Sequence, residues 1–275
     1  MMASGMPVSG FWRYGIILFA GLLIAACATS PTGRSQLMLV SEEQAIQSSK
    51  QAYVEMLQPL EKEGKIDSNA AVTERVNRIT DKLIKQAVIM RPSTRDWKWE
   101  VKVIDDPETV NAWCMAGGKM AIYTGLIDQL KPTDDELAQV MGHEISHALA
   151  NHTAEQMSVA MASSLGVMAI GMASDRPAVT TAAAAIAAKL AIELPNSRTA
   201  ESEADRIGIE LAAKAGYDPH AAVTLWQKME KVGGSTPPEF LSTHPSPGNR
   251  QQTLESYIPQ MMPYYEAAKA REKGK

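Results

Sequence analysis

The chain has 275 residues, 45% hydrophobic and 21% charged, with 27 Lys plus Arg against 31 Asp plus Glu and a formal net charge of −4. That length and apolar content suit one large domain, or two small ones, with a real core, and the mild acidic excess argues against a nucleic-acid partner, which would need a basic surface. Aromatics are only 5% while Met reaches 16, a balance that favours helices over an all-β sandwich, and two cysteines, Cys27 and Cys114, make no disulfide framework.

Residues 1–26 read as a secretory signal peptide: Arg13, an apolar run from Tyr14 to Ala26, then small residues at the cut. The run is about 13 residues, short of the roughly 20 that span a bilayer. Ile24-Ala25-Ala26-Cys27 resembles a bacterial lipobox, in which the cysteine becomes the lipidated first residue of the mature protein. Ala28 stands where an Asp would resemble an inner-membrane retention signal. That resemblance implies a lipid-anchored protein of the periplasm, with the outer membrane favoured. Residues 27–40, with Pro31 and Gly33, then read as the lipidated Cys27 and a tether, and residues 41–275 as a single domain.

A helix is expected from Ser41 to about Pro59, and another from Asn69 to about Met90, where Val72, Val76, Ile79, Leu83 and Ile84 recur at helical spacing. Trp97 to Ile104 alternates and reads as a strand, and Val110 to Ile127 as two short strands around Gly117-Gly118. Thr133, with Glu136 three positions on, forms a capping-box start for a helix running to about Asn151 or beyond. Between Met157 and Ser174 there is no charge, and residues 178–192 are Ala-rich; their length and hydrophobicity favour a buried or lid-forming helical pair over a membrane hairpin. Helices follow over Glu201–Ala215, closed by Gly216, over Pro219 to about Val232, and over Gly248–Lys269, the last broken by Pro259 and Pro263. The fold class is therefore α+β, mainly α-helical.

His143-Glu144-Ile145-Ser146-His147 is an H-E-x-x-H on the helix that Thr133 starts. Two histidines at i and i+4 lie on one helix face, so both imidazoles reach a single ion, and Glu144, about 100° further round, sits beside it as a general base. Val140, Met141, Ile145 and Leu149 make the helix apolar around the motif, which argues against a pair of surface histidines. A catalytic zinc needs a third protein ligand, and the candidates are Glu201 and Glu203. Glu201 shares a face with Asp205, a ligand with a carboxylate one turn later to accept the free N–H of a zinc-bound histidine. Glu203 points about 200° away and is expected to face solvent. His152 and His220 are read as ordinary helix residues, and Cys114 as a buried small apolar side chain.

H-E-I-S-H, followed by Ser197-Arg198 and Glu201 through Asp205, resembles the HtpX-like, CAAX-prenyl-protease-type gluzincin metallopeptidases. Asn111-Ala112-Trp113, Gly117-Gly118, Thr124-Gly125-Leu126 upstream and Thr243-His244-Pro245 with Arg250 downstream are similar to further elements of that family, covering about residues 40–260. With the lipobox, the nearest members are the periplasmic lipoproteins of the BepA and LoiP type, without a tetratricopeptide-repeat domain. The resemblance implies a zincin-like fold with a small sheet beside the H-E-x-x-H helix. It also implies one zinc per chain, and His244 beside the zinc as oxyanion stabiliser or occupant of the open position.

The reading that follows is a zinc endopeptidase, with metal ligands His143, His147 and Glu201 and catalytic groups Glu144 and His244. Its partners are unfolded or misassembled envelope proteins as substrates, the membrane through Cys27, and outer-membrane assembly partners. The strand Met120-Ala121-Ile122-Tyr123 is expected to offer an edge to an extended peptide. Alternatives are a chaperone-like or binding module with a gated zinc site, a zinc hydrolase of cell-wall peptides, and a purely structural zinc site.

Overall fold

Among residues 27–172, 197–232, 238–245 and 248–274, which the computed structural model describes, the protein is mainly helical with two small sheets. The expected signal peptide, residues 1–26, lies outside the described residues. In chain order the elements are β1 (Cys27–Thr29), β2 (Ser35–Leu37), α1 (Glu42–Lys62), α2 (Ala70–Met90), β3 (Glu100–Ile104), β4 (Ala112–Met115), β5 (Lys119–Tyr123), α3 (Thr124–Leu130) and α4 (Asp134–Leu149). They continue as α5 (His152–Met172), α6 (Arg198–Lys214), α7 (Ala221–Val232), α8 (Glu239–Thr243) and α9 (Arg250–Lys273).

Caps explain several of the boundaries. Thr133 Oγ1 accepts from the Glu136 amide at 3.2 Å while Glu136 Oε2 accepts from the Thr133 amide at 2.8 Å, a reciprocal box that satisfies two otherwise orphaned donors of α4. Asn69 caps α2 in the same role, accepting from the amides of Ala71 and Val72. Gly216 at φ +87° lets the chain turn sharply after α6, where a side chain would be strained.

The larger sheet has the order β3-β5-β4, with β3 parallel and β4 antiparallel to β5. Met120–Tyr123 is therefore the central strand and not an edge, a correction to the sequence reading. Met120, Ala121 and Ile122 are each 0% exposed: Met120 and Ile122 join the main core with α2 and α4, and Ala121 packs with Tyr53 and Leu57 of α1. A strand apolar on both faces is stable only with cover on both, and hence with neighbours on both edges. The edge on this side is β4.

α4 is the central element. Every residue from Glu136 to Leu149 is buried, among α2, α6, α7 and β4, which removes the surface-histidine reading of the motif. Its closest partner is α6, and the contact is backbone to backbone at Gly142 and Gly208. A Cβ on Gly208 would stand 2.9 Å from the His143 amide nitrogen, and one on Gly142 would stand 3.0 Å from the Gly208 carbonyl. Only glycines permit this approach, and it sets the carboxylates of α6 against the histidines of α4.

Three further expectations are corrected. Residues 28–40 do not form a free tether: β1 and β2 pair as a hairpin that docks on α5 and α6, with Ser30, Gln36 and Val40 buried and Arg34 paired to Glu155 and Glu203. α9 runs unbroken through Pro259 and Pro263. The two prolines stand four apart on the exposed face, where solvent can take the freed carbonyls, while Leu254, Met261 and Ala268 anchor the opposite face. α4 ends at Leu149, and Asn151 at φ +56° turns the chain, so His152 opens α5 instead of lying late in α4. No described helix is long and apolar enough to cross a membrane; residues 173–196, including the Ala-rich run, lie outside the described residues.

Candidate metal centre

α4 presents His143 and His147 one turn apart, α6 presents Glu201 in its first turn, and His244 follows α8. All four side chains are buried, with one donor atom from each inside a sphere in which no pair exceeds 4.8 Å. The separations are 3.1 Å from His143 Nε2 to His147 Nε2, 3.3 Å from His143 Nε2 to His244 Nδ1, and 3.2 Å from His143 Nε2 to Glu201 Oε2. Glu201 Oε1 lies 3.1 Å from His244 Nδ1 and 3.5 Å from His147 Nε2. Four N/O ligands about 2.0–2.1 Å from a tetrahedral zinc stand about 3.3 Å from one another. Several of the donor separations are thus close to those of such a site, and imidazole and carboxylate donors suit zinc. His244 is the fourth member of the group, the residue that the family resemblance puts beside the zinc as oxyanion stabiliser or occupant of the open position.

Behind His143, its Nδ1 lies 3.0 Å from Asp205 Oδ1, which accepts from Arg250 Nη2 at 2.5 Å. The Arg250 guanidinium is buried and stacked 3.5 Å from the Trp226 ring centroid. It also lies 3.4 Å from Glu201 Oε2, so one cation braces two carboxylates of the centre. Arg250 enters the sequence reading only as part of a late motif; nothing local predicts that its charge is buried against α6.

Behind His147, Nδ1 lies 2.8 Å from Nδ1 of His152, and His152 Nε2 lies 3.2 Å from Glu203 Oε2. Both residues were misread from sequence. Glu203 does not face solvent but is 5% exposed, because α6 is covered on the side opposite Glu201 by α5 and the hairpin. His152 is 2% exposed and reaches His147 only through the turn at Asn151.

Glu144 is 2% exposed, and its Oε1 has no hydrogen-bond partner among the described residues, His244 Nε2 standing 3.5 Å away. Burial raises its carboxyl above the ordinary range, as suits a proton acceptor working near neutrality. Burial also opposes ionisation of Glu201, yet hydrogen bonds to His143 and His244 hold its carboxyl far below the ordinary range. In the metal-free protein, burial disfavours the His143 cation, but Asp205 and Glu201 outweigh it and push the group up to about 9. His147 goes well below the ordinary histidine value through burial and the neighbouring His143. His220 stays outside the centre, exposed and paired with Asp218, and Cys114 is buried with its thiol pushed well up by burial.

A family model described as Peptidase family M48 matches residues 70–258. The chain is 40% identical over 156 residues to the mitochondrial metalloendopeptidase OMA1 of Arabidopsis thaliana, covering 57% of this chain and 31% of that protein. It is 33% identical over 266 residues to the mitochondrial metalloendopeptidase OMA1 of Bos taurus, covering 92% and 50%. It is 30% identical over 165 residues to the beta-barrel assembly-enhancing protease of Escherichia coli, covering 57% and 34%. The chain spans half or less of the length of these relatives. The bacterial protein matches at lower identity than the OMA1 proteins, so the sequences do not single out the periplasmic lipoprotein members. The expectation of a periplasmic, lipid-anchored location with the outer membrane favoured is overturned by the same finding, since the more similar relatives are mitochondrial.

Proposed function

The chain belongs to peptidase family M48, a family of zinc metallopeptidases, and from that premise we propose that it is an endopeptidase acting on misfolded or misassembled proteins. The observation that carries the reading is the convergence of the donors of His143, His147, Glu201 and His244 within 4.8 Å, with a buried carboxylate, Glu144, beside them.

His143, His147 and Glu201 would hold the ion. Zinc there supplies Lewis acidity toward a scissile carbonyl and acidifies water. Glu144, with its unpartnered Oε1, takes the proton of the attacking water and returns it to the leaving nitrogen. Asp205 and Arg250 keep the His143 ring in the tautomer that turns Nε2 to the metal. His244, beside these three, would offer an N–H to the oxyanion that forms on the scissile carbonyl. The β4 edge, Ala112–Met115, lies against α4 and takes the role first given to Met120–Tyr123, pairing an extended peptide through main-chain hydrogen bonds. Such pairing is largely blind to sequence and suits unfolded chains.

One observation favours a second reading. With His244 as a fourth donor the centre is closed at rest, as a gated binding protein would need. Zinc content and casein cleavage by the full chain and by Glu144→Gln separate the two. Zinc in both with cleavage only by the parent supports the peptidase; full cleavage by Glu144→Gln refutes the assigned base, and zinc without cleavage in either favours the binding protein.

A further inference from the structure

An imidazole that gives Nε2 to a metal keeps its proton on Nδ1, so each ligand histidine needs an acceptor behind it. For His143 the acceptor is a carboxylate, Asp205. For His147 it is another imidazole, Nδ1 of His152 at 2.8 Å. The neighbours then assign every proton on this path. His147 Nδ1–H donates to the bare Nδ1 of His152, whose one remaining N–H, on Nε2, donates to Glu203 Oε2 at 3.2 Å.

Glu203 can only accept, and it is buried, so its charge needs donors. Apart from His152, its donors among the described residues come from one place, the loop of the β1–β2 hairpin. Thr32 Oγ1 donates to Glu203 Oε1 at 2.6 Å, and Arg34 Nε donates to Oε2 at 2.8 Å. Arg34 is itself aimed by a bidentate pair, Nη1 to Glu155 Oε1 and Nη2 to Glu155 Oε2, both at 2.6 Å. Gln36 Nε2 ties the same hairpin to the carbonyl of Ala150, just past the end of α4, at 2.7 Å. The side chains of Glu203 and His152 are 3% and 2% exposed, and that of Arg34 is 20% exposed, so the inner part of the path is shielded from water while Thr32, at its outer end, is exposed.

We propose that the β1–β2 hairpin is a working part of the metal centre: through Arg34 and Thr32, Glu203 and His152, it orients His147, and its docking sets how tightly the chain holds zinc. The proposal rests on the zinc reading above. His152, Glu203, Thr32 and Arg34 are positioning residues, since none of them faces the corner where substrate binds. These polar contacts tie the hairpin to the body, so a force or partner that lifts it releases Glu203, then His152, and leaves His147 free to rotate. The N-terminal segment is in this way a handle on the catalytic metal.

The test uses the full chain and its Arg34→Ala, Arg34→Lys, His152→Leu and Thr32→Val variants. Zinc affinity is read by competition with a chromophoric chelator, and the thermal midpoint of each metal-free protein is read alongside. Arg34→Ala and His152→Leu are expected to weaken zinc binding by about 10–100-fold, the usual cost of losing a partner behind a metal ligand. Arg34→Lys, which keeps a cation beside Glu203, should recover most of that loss, and Thr32→Val should show a smaller one. A role confined to packing would lower the metal-free midpoint and leave the affinity of the folded protein unchanged. An Arg34→Ala or His152→Leu protein that folds and binds zinc within about twofold of the parent overturns the proposal. If neither of those two variants folds, Thr32→Val decides the matter, and parental zinc affinity in it overturns the proposal. A parent that binds no zinc refutes the zinc reading and the proposal together, whereas variants as tight as a zinc-binding parent refute the proposal alone.

Discussion

Gly208→Ala tests whether the close crossing of α4 and α6 is what assembles the metal centre. The added Cβ would lie 2.9 Å from the His143 amide nitrogen, 3.0 Å from His143 Cα and 3.1 Å from the Gly142 carbonyl carbon, all backbone atoms that cannot rotate away. Reaching ordinary contact near 3.4 Å requires the two helices to part by about 0.5 Å. Two effects on stability oppose each other. Alanine is a better helix former than glycine by about 0.5–1 kcal/mol, while overpacking of this kind costs about 1–3 kcal/mol. The net loss should be about 1–2 kcal/mol, enough to lower the melting temperature by a few degrees without unfolding the domain. The metal should feel far more, because Glu201 travels with α6 and His143 and His147 travel with α4, and ligand distances tolerate only about 0.2 Å. Chelator competition is therefore expected to show zinc bound at least about tenfold more weakly, alongside a small thermal shift. A variant with parental zinc affinity would refute the argument that the glycine contact positions the ligands, whatever its melting temperature.

Removing His244 as His244→Ala should leave zinc on three donors but lower cleavage by about 10²-fold through loss of the oxyanion donor, measured as kcat on a peptide substrate; a rise in cleavage would refute that role and leave only the gate. Arg250→Ala strips the buried cation from Glu201 and Asp205 and should cost about 3–5 kcal/mol in denaturant unfolding of the metal-free protein; a loss under about 1 kcal/mol would contradict the bracing role. Because His143 is pushed up to about 9 in the metal-free protein while His147 is already neutral and Glu201 already ionised, zinc uptake near pH 7 should release about one proton, measurable by calorimetry in buffers of different ionisation enthalpy. The same raised value means that the His143 contribution to metal-free stability is complete below about 6.5 and is lost as pH rises through about 9; melts of the metal-free protein that gain stability across that window would refute the assignment.

Much of the fold is legible one segment at a time. Helix starts at Thr133 and Asn69 follow from capping chemistry, which involves residues two or three apart and needs no tertiary partner. The prolines of α9 mislead because the local rule counts the lost hydrogen bonds. It does not see that both lie on a solvated face while Leu254, Met261 and Ala268 hold the other. The strand Met120–Tyr123 misleads differently: its apolar run is consistent with a strand buried on both faces, but which strands flank it depends on the crossover from β3, a pairing outside any local window.

The centre divides along the same line. The spacing of His143, Glu144 and His147, and of Glu201 and Asp205, is decided by sequence alone, because the α-helical repeat places residues four apart on one face whatever surrounds them. The tertiary structure alone decides that Arg250 is buried between two carboxylates, and that Arg34 and Thr32 reach Glu203 across 169 and 171 positions. Those contacts arise from the docking of whole elements, and the side chains that make them carry no periodicity that would announce their partners.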